Sequence, residues 1–299
     1  MSRFLTFIII SLLSLAAQAA DVRVLTSIKP LQLIAAAVQD GLGQPEVLLP
    51  PGASPHHFAL RPSDVRRTQQ ADLLYWIGPD MENFLPRALG NRDKPSVAVQ
   101  TLPGLSLRHF GANEHGHEQH AGEHDHKHLP GSLDAHLWLL PANAQVIATK
   151  MAAELSAADP ANAARYPANL TAFEQRLGKL DGQLKKRLAG LGDKPFFVFH
   201  EGFNYFEAAY GLHHTGVFSA ASEVQPGARA VAAMRQQLQQ AGPTCVFSEP
   251  PLRPHLVDTL SAGLPVQLAE LDALGFSATS YEQLLSDLAD GLAGCLEGL

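Results

Sequence analysis

The sequence predicts an α/β protein of two lobes, each a mainly parallel sheet flanked by helices, joined by a long rigid helix. Short apolar runs rich in β-branched residues alternate with amphipathic helical patterns, which is typical of βαβ units and parallel sheets. A long helical stretch near the middle of the chain separates two such series. The 299 residues suffice for two ordinary domains, so we assign each series to one lobe.

The first lobe, residues 21–158, is predicted from four strand-like runs. They lie at 22–26, 46–49, 73–77 and, more weakly, 97–99. Helical patterns at 31–39 and 63–70 fall between them, and a further helix is expected from Pro141 to about Ala157. Ser63 is expected to cap the helix that follows it, because a serine side chain can accept a hydrogen bond from an unpaired backbone N–H.

The connection between the lobes, residues 159–190, is predicted as one long helix that reaches Leu188. At 1.5 Å per residue, about 28 residues would span roughly 40 Å, the width of a domain. Pro167 lies inside this stretch and is expected to kink or divide the helix. The apolar side chains recur at spacings of three and four, which marks one apolar stripe: Leu170, Phe173, Leu177, Leu180, Leu184 and Leu188.

The second lobe, residues 191–299, repeats the alternation of the first. Strands are expected at 196–199, 213–217, 245–248 and 266–268. Helices are expected at 204–210, 228–240, 255–262 and 281–296. In such folds the ligand binds in the crevice outside the carboxyl ends of the strands.

The first 20 residues have the pattern of a secretory signal peptide. Arg3 precedes an apolar run of about 14 residues, and Ala17-Gln18-Ala19 follows as a cleavage signal. The run is too short to span a bilayer, which needs roughly 20 residues. No cysteine follows it, so we expect an exported, periplasmic protein without a lipid anchor. No second apolar stretch reaches spanning length, and we expect no direct membrane insertion.

Composition narrows the class of ligand. A hydrophobic content of 46% and a charged content of 17% are those of a soluble globular protein. The formal net charge of -7 argues against nucleic-acid binding, because neutralising phosphates requires a basic surface. In an exported chain the two cysteines, Cys245 and Cys295, are expected to form a disulfide, with two buried free thiols as the alternative.

Half of the 14 histidines lie in one polar segment, residues 109–131. The segment has no apolar period and cannot form a core, so we expect a flexible loop. Imidazoles and carboxylates close together in a flexible chain can bind a borderline-soft cation such as Zn²⁺. We expect a weak auxiliary metal loop, because ordering it costs conformational entropy, and an inert insertion is the alternative. Its histidines are His109, His115, His117, His120, His124, His126 and His128.

A tighter site is expected from histidines on the folded scaffold. His56 and His57 follow the second strand across a Pro-Gly loop, and His200 ends the strand at 196–199. His136 lies just after the polar loop. Two of these positions are at the carboxyl ends of strands in different lobes, which favours a ligand site over isolated structural histidines. The other histidines of ordered segments are interpreted as structural: His213, His214 and His255.

The segments that carry this chemistry resemble the metal-site segments of one family. They are Pro55-His56-His57-Phe58 with Arg61-Pro62-Ser63-Asp64, His136-Leu137-Trp138, and Phe199-His200-Glu201-Gly202 with Tyr205-Phe206. Further matches are Glu223-Val224-Gln225-Pro226-Gly227, Cys245-Val246-Phe247 with Glu249-Pro250, and Leu271-Asp272 with Leu274-Gly275. That family is the cluster A-I (cluster 9) solute-binding proteins of bacterial ABC transporters for zinc and manganese.

The resemblance implies a metal held between two lobes, with His56, His136 and His200 as ligands. Manganese members are expected to carry Glu where His200 aligns, so an imidazole there indicates Zn²⁺. Three nitrogen ligands also suit zinc better than manganese. Tetrahedral zinc needs a fourth donor. Asp272, or water with Asp272 in the outer shell, ranks first, and His57 is the weaker alternative.

The resemblance further implies a monomeric binding protein that delivers Zn²⁺ to a membrane permease with its cytoplasmic ATPase. A manganese-binding relative and a free-standing zinc buffer or adhesin are the alternatives. Three histidines with an open fourth position also describe a catalytic zinc. However, His200-Glu201 does not continue as H-E-x-x-H, because position 204 is Asn, and we therefore do not expect an enzyme.

Overall fold

The computed structural model describes residues 22–111, 130–218, 228–250 and 255–299. The expected signal peptide lies outside these residues. Six histidines of the expected auxiliary loop also lie outside them: His115, His117, His120, His124, His126 and His128. Within the described ranges, no helix is both long and apolar enough to cross a membrane.

The first half of the chain forms a sheet of four parallel strands in the order β2-β1-β3-β4. The strands are β1 (Val24–Thr26), β2 (Glu46–Val47), β3 (Leu73–Trp76) and β4 (Ser96–Ala98). The helices of this half are α1 (Lys29–Val38), α2 (Pro62–Gln70), α3 (Leu85–Leu89) and α4 (Pro141–Ala158). Every residue of β1 and β3 is buried, as expected for the central strands of a parallel sheet.

Helix α5 (Arg165–Arg187) carries the chain to the second half and packs against α1 and α4. Its 23 residues correspond to about 35 Å. The predicted helical stretch is divided, because a 3-10 turn at Pro160–Asn162 precedes α5. Pro167 therefore lies in the first turn of α5, where its missing N–H removes no internal hydrogen bond. The helix is shorter than predicted.

The second half forms another four-stranded parallel sheet, in the order β6-β5-β7-β8. The strands are β5 (Phe196–Val198), β6 (Gly216–Val217), β7 (Thr244–Ser248) and β8 (Val266–Glu270). The helices are α6 (Asn204–Tyr210), α7 (Ala228–Ala241), α8 (His255–Ser261) and α9 (Tyr281–Leu296). The predicted fold class is confirmed, since both sheets are parallel and accompanied by helices.

The two sheets share one strand order. In each, the second strand lies on one side of the first, and the third strand lies on the other side. The connection from the first strand to the second and the connection from the second to the third therefore run in opposite directions across the sheet. This arrangement opens a crevice between the carboxyl ends of β1 and β3, and another between those of β5 and β7.

One apolar core extends through both halves. It includes Leu25 and Tyr75 from the first sheet, Phe196 from the second sheet and Leu292 from α9. Phe197 belongs to a smaller core, because successive side chains of a strand point to opposite faces of the sheet. Since the larger core is shared, the two halves are packed directly against one another.

The predicted disulfide is present between Cys245 of β7 and Cys295 of α9, whose Cα atoms are 6.1 Å apart. Helix α9 also packs against α1 and α5. The bridge therefore ties a helix that contacts the first half to a central strand of the second sheet.

Two local predictions were wrong, and one helix was missed. Ser63 lies inside α2 and does not cap it; instead, the N–H of Arg61, just before the helix, donates to the Asp64 carboxylate at 3.0 Å. Helix α3 was not predicted, because five residues are too few for a periodic signal. Strand β6 begins at Gly216 rather than at His213.

Candidate metal centre

Three histidines that are far apart in sequence lie together where the two halves meet. His56 and His136 come from the first half, and His200 comes from the second. The ring centroid of His56 is 5.4 Å from that of His136 and 5.3 Å from that of His200, and the latter two are 4.6 Å apart. Within the described part of the chain, they form the only group of three His, Cys, Asp or Glu side chains whose possible ligand atoms all lie within 4.8 Å of one another.

The spacing of these rings fits a zinc ion. Zinc binds imidazole nitrogen at about 2.0–2.1 Å, so two nitrogens of a tetrahedral site lie about 3.3 Å apart. The nitrogens of this cluster are at most 4.8 Å apart, and closing on an ion requires relative shifts of at most about 1.5 Å. Three imidazoles also form a donor set that suits Zn²⁺.

His136 is held by a carboxylate two residues earlier. It is 2% exposed and directly precedes the 3-10 turn Leu137–Leu139. Its backbone N–H donates to Oδ1 of the fully buried Asp134 at 3.0 Å, and its ring Nδ1 lies 2.8 Å from the same oxygen. Because an ionised carboxylate can only accept, Nδ1 carries the hydrogen. Nε2 is then the nitrogen that can coordinate a metal.

Two buried aromatic residues anchor the His136 segment to the second half. The Tyr205 hydroxyl donates to the Asp134 carbonyl at 2.9 Å. The Trp138 indole N–H donates to the Ala273 carbonyl at 2.8 Å. His136 therefore belongs to the first half by sequence, but contacts with the second half fix its position.

His200 lies at the crevice between β5 and β7. Glu249 directly follows β7, and its Oε1 is 3.1 Å from Nδ1 of His200. The same argument leaves Nε2 of His200 to coordinate a metal. Burial lowers the pKa of His200, but the charge and hydrogen bond of Glu249, with smaller contributions from Asp134 and Glu201, outweigh burial and raise the pKa above its usual value.

His56 is presented by the loop that follows β2. Its backbone N–H donates to the Ser54 hydroxyl at 3.3 Å, and the N–H of His57 donates to the Ser54 carbonyl at 3.4 Å. Gly52 enters this loop with a positive φ of 81°, a conformation that favours glycine. The ring of His57 is exposed, its centroid is 6.4 Å from that of His56, and it is not part of the cluster.

Gly202 allows the rings of the two halves to approach one another. A Cβ atom at this position would lie 2.9 Å from Nδ1 of His200 and 3.2 Å from Cδ2 of His136. Any side chain here would require both rings to move. The missing side chain is therefore part of the geometry of the site.

Asp272 does not join the three histidines. Its carboxylate accepts backbone N–H groups of its own loop, from Leu274 at 3.1 Å and from Gly275 and Phe276 at 2.7 Å. Burial, supported by the charge of Glu249, raises the pKa of Asp272 against the effect of these hydrogen bonds. The carboxylate stabilises the loop after β8, and direct coordination by Asp272 stays a prediction.

Asp134 and Glu249 were not predicted to take part in the site. Both carry a local signal, since Asp134 stands two residues before His136 and Glu249 directly follows a buried strand. The contact of each carboxylate with a ring nitrogen depends on tertiary structure, however, and no spacing in the sequence indicates it.

The other described histidines lie outside the cluster. Nδ1 of His214 is 2.9 Å from both carboxylate oxygens of the buried Glu207, an arrangement consistent with a structural role. His213 is exposed. His109 forms an isolated antiparallel bridge with Leu133, which joins the two ends of the polar segment.

A buried glutamate occupies the corresponding crevice of the first sheet. The Glu82 carboxylate accepts the Ser27 hydroxyl after β1 and the N–H groups of Ile77 and Gly78 after β3, the latter at 2.9 Å. Burial raises the pKa of Glu82 to about 7, although these hydrogen bonds oppose the shift. This crevice is thus filled by a side chain of the protein itself.

Comparison with known proteins relates the chain to one family. Residues 24–295 match the sequence model of the family described as ZnuA, zinc-uptake complex component A periplasmic. The high-affinity zinc uptake system protein ZnuA of Yersinia pestis is 37% identical, with 93% of this chain and 92% of that protein covered. The protein of the same description from Haemophilus ducreyi is 34% identical, with 93% and 94% covered.

Solved structures share the fold. A crystal structure of ZnuA has a TM-score of 0.77 at 22% identity and covers 93% of this chain and 100% of that chain. The periplasmic zinc binding protein TroA from Treponema pallidum has a TM-score of 0.75 at 21% identity, with 93% and 99% covered. At these identities the likeness concerns the architecture alone.

Proposed function

Because this chain belongs to the ZnuA family of periplasmic zinc-uptake components, we propose that it captures Zn²⁺ in the periplasm and delivers it to a membrane permease. The permease acts with a cytoplasmic ATPase as an importer. The zinc-uptake relatives support this proposal, because they align over more than nine-tenths of the chain. The protein acts as a monomer of two lobes, residues 21–158 and 191–299, joined by residues 159–190.

The cluster of His56, His136 and His200 is the observation that carries the proposal. In our proposal each contributes one neutral imidazole nitrogen to the ion. Ligands from both halves make coordination sensitive to any movement at their junction. A form stabilised by bound metal docks on the permease, and a movement of the halves at the membrane releases the ion.

The carboxylates behind the rings adapt the site to a divalent cation. Asp134 and Glu249 each accept the Nδ1 hydrogen of one imidazole, which makes the opposite nitrogen a stronger donor. Their two negative charges also compensate the charge of Zn²⁺ in a partly desolvated site. Water or Asp272 completes the tetrahedron, with His57 as the weaker alternative.

The polar segment has an auxiliary role in this proposal. Its histidines bind zinc weakly and raise the amount of metal near the tight site. The signal peptide exports the chain to the periplasm.

We propose binding rather than catalysis. The zinc-uptake relatives support transport, and the departure from H-E-x-x-H at Asn204 argues against a zinc protease. Three nitrogen donors argue against a manganese-binding protein, because manganese prefers oxygen ligands.

The proposal is tested by zinc stoichiometry and affinity in the mature protein. The variants are His56→Ala, His136→Ala and His200→Ala, each with residues 111–128 present or deleted. We expect each substitution to weaken tight binding by more than about 100-fold, beyond the effect typical of outer-shell residues. His213→Ala is the matched control, because His213 is an exposed histidine outside the cluster, and it should bind zinc normally.

Two results would contradict the proposal. If deleting residues 111–128 alone abolished tight binding, the scaffold histidines would not form the main site. Transport is tested separately by zinc-limited growth of a deletion strain without a redundant importer. Normal growth and zinc uptake of that strain would exclude delivery to a permease.

A further inference from the structure

We infer that Asn204 is a positioning residue of the zinc site, and that its side-chain amide holds the carboxylate that orients His136. The inference rests on the proposed function. It assigns a role in metal binding to a residue that contributes no ligand atom. It also gives α6 of the second half direct control over a ligand of the first half.

The geometry joins Asn204 to His136 in two steps. Asn204 is the first residue of α6 and is 9% exposed. Its Nδ2 donates to Oδ2 of Asp134 at 3.1 Å. The other oxygen of that carboxylate, Oδ1, accepts hydrogen bonds from the backbone N–H and from the ring Nδ1–H of His136. The two oxygens of Asp134 thus connect the amide on one side with the imidazole on the other.

The Asn204 amide also contacts a second carboxylate, that of the residue next to His200. Nδ2 of Asn204 also lies 3.3 Å from Oε1 of Glu201, which is adjacent to His200. A primary amide nitrogen carries two hydrogens and no charge, so it can donate to two carboxylates at once. Asn204 therefore lies between two negative groups that would otherwise repel one another, one beside each of two proposed ligands.

Helix α6 fixes Asp134 at two points. The Tyr205 hydroxyl holds the backbone carbonyl of Asp134 at 2.9 Å, and Asn204 holds its carboxylate. Tyr205 accordingly sets where Asp134 lies, and Asn204 sets the direction of its carboxylate plane. Without the amide the carboxylate can rotate, and the orientation of the His136 ring is less restricted when zinc binds.

Replacement by aspartate separates this role from simple packing. Asn204→Asp preserves the shape of the side chain, but it exchanges a double donor for a third carboxylate that faces Asp134 and Glu201. If Asn204 only filled space, this variant would bind zinc as well as the wild type. If the amide positions Asp134, it would bind zinc less well than Asn204→Ala.

Asn169 supplies a matched control. Its Nδ2 also bridges two oxygen acceptors, the carbonyls of Val38 and Asp40, each at 3.0 Å. It lies on α5 and has no contact with the histidine cluster among those given by the structure. Asn169→Ala and Asn169→Asp therefore reproduce the loss of a bridging amide without affecting the metal.

The experiment measures zinc affinity of the full mature protein by competition with a chelator at one pH. We expect Asn204→Ala to bind zinc about tenfold more weakly, the lower end of the range for residues that hold a ligand through a carboxylate, and Asn204→Asp more weakly still. Both Asn169 variants should bind zinc like the wild type. The visible spectrum of bound Co²⁺, which reports ligand geometry, should change only in the Asn204 variants.

Melting of the metal-free proteins tests whether any loss of affinity merely follows a loss of stability. Wild-type affinity and an unchanged Co²⁺ spectrum in Asn204→Ala would overturn the inference, even if Asn204→Asp did not fold. The inference would also be overturned if the Asn169 variants lost as much zinc affinity as the Asn204 variants for the same loss of stability. A wild type without tight zinc binding would instead refute the proposed function, and this inference with it.

Discussion

At the scale of single residues, two carboxylates hold imidazoles of the proposed zinc site. Asp134 is completely buried, whereas Glu249 is partly exposed. Asp134 accepts hydrogen bonds from the backbone N–H and the ring Nδ1 of His136, whereas Glu249 has a single contact with His200. His136 is therefore more strongly constrained than His200. Of the two proposed ligands, we therefore regard His136 as the fixed one and His200 as the adjustable one.

Neutralising Glu249 should weaken zinc binding. In Glu249→Gln the Nδ1 hydrogen of His200 loses a charged acceptor, and we expect about tenfold lower affinity at pH 8. Chelator competition measures the effect. Glu297→Gln is the control, because Glu297 pairs with Arg187 on the surface, away from the cluster. Equal affinities for wild type and Glu249→Gln would show that Glu249 does not support the site.

The contact between Glu249 and His200 also predicts a pH dependence of zinc affinity. Zinc requires the neutral imidazole, and Glu249 raises the pKa of His200, so protons compete with zinc already above the usual histidine pKa of about 6.5. Affinity should fall as the pH is lowered from 8 to 6. In Glu249→Gln the decline in zinc affinity should begin at lower pH. The difference in zinc affinity between wild type and Glu249→Gln should therefore become smaller as the pH is lowered. A constant affinity ratio across this range would contradict the argument.

Glu82 predicts a pH dependence of folding stability. Its pKa is about 7 in the folded protein, above its value of about 4.5 in the unfolded chain, so the folded state binds the proton more tightly. The tighter binding of this proton stabilises the folded state, with an upper limit of roughly 3 kcal/mol in the free energy of unfolding. The stabilisation is complete below about pH 4.5 and is lost as the pH rises through about 7. Urea unfolding of metal-free protein between pH 5 and 8 measures it.

Glu82→Gln provides the comparison for that measurement. Its side chain does not titrate, and the decline of stability with rising pH should be shallower than in wild type. Histidines with raised pKa, such as His214, contribute to the slope in both proteins and cancel in the difference. Parallel stability curves for the two proteins would show that Glu82 does not titrate in this range.

At the scale of elements, the disulfide joins parts of the structure that are separate from the proposed metal site. Cys245 lies near the start of β7, whereas Glu249 directly follows its end. Four steps of about 3.3 Å along the strand separate them by about 13 Å. The elements that carry the ligands are also held by hydrogen bonds and apolar packing, so the bridge contributes to stability rather than to coordination.

Removal of the disulfide should therefore lower stability without changing zinc affinity. Cys245→Ala combined with Cys295→Ala opens a loop with a sequence separation of 50 residues. We expect a loss of about 2–4 kcal/mol in the free energy of unfolding. Urea unfolding and chelator competition on the same preparation measure both quantities. A large loss of affinity in the folded variant would contradict this separation.

At the scale of the whole molecule, the shared core limits how the halves can move. A continuous apolar core, the Trp138 and Tyr205 hydrogen bonds and α9 all connect the two halves. Large apolar interfaces between domains restrict relative motion. We expect zinc to stabilise this junction, because its proposed ligands come from both sides.

Zinc removal should accordingly lower the melting temperature. A ligand that binds only the folded state stabilises it by about 2.7 kcal/mol at a free concentration 100 times its dissociation constant. Calorimetry with saturating zinc and after chelation measures the shift. In His136→Ala, chelation should have little effect on the melting temperature. An unchanged melting temperature in wild type would contradict binding at the junction.

Local signals in the sequence were sufficient for the order of the longer elements and for the histidines that could be ligands, whereas the set of His56, His136 and His200 was implied by the family resemblance. Short apolar runs predicted the buried strands of both parallel sheets, and hydrophobic periodicity predicted the buried face of α5. The pairing of Cys245 with Cys295 followed from their number in a chain that was predicted to be exported. Short elements such as α3 and the exact helix start near Pro62 could not be predicted, because local hydrogen bonds determine them.

Tertiary structure alone decided how the candidate ligands are supported. His200 and Glu249 are separated by 49 residues, and Asp134 and Asn204 by 70, yet each pair is in contact. The orientation of Asp272 toward its own loop and the filling of the first crevice by Glu82 likewise depend on how the loops pack. The sequence determined which histidines are candidates for binding zinc. Packing between distant segments decided which of their rings lie together and what holds them, because those contacts leave no periodic trace along the chain.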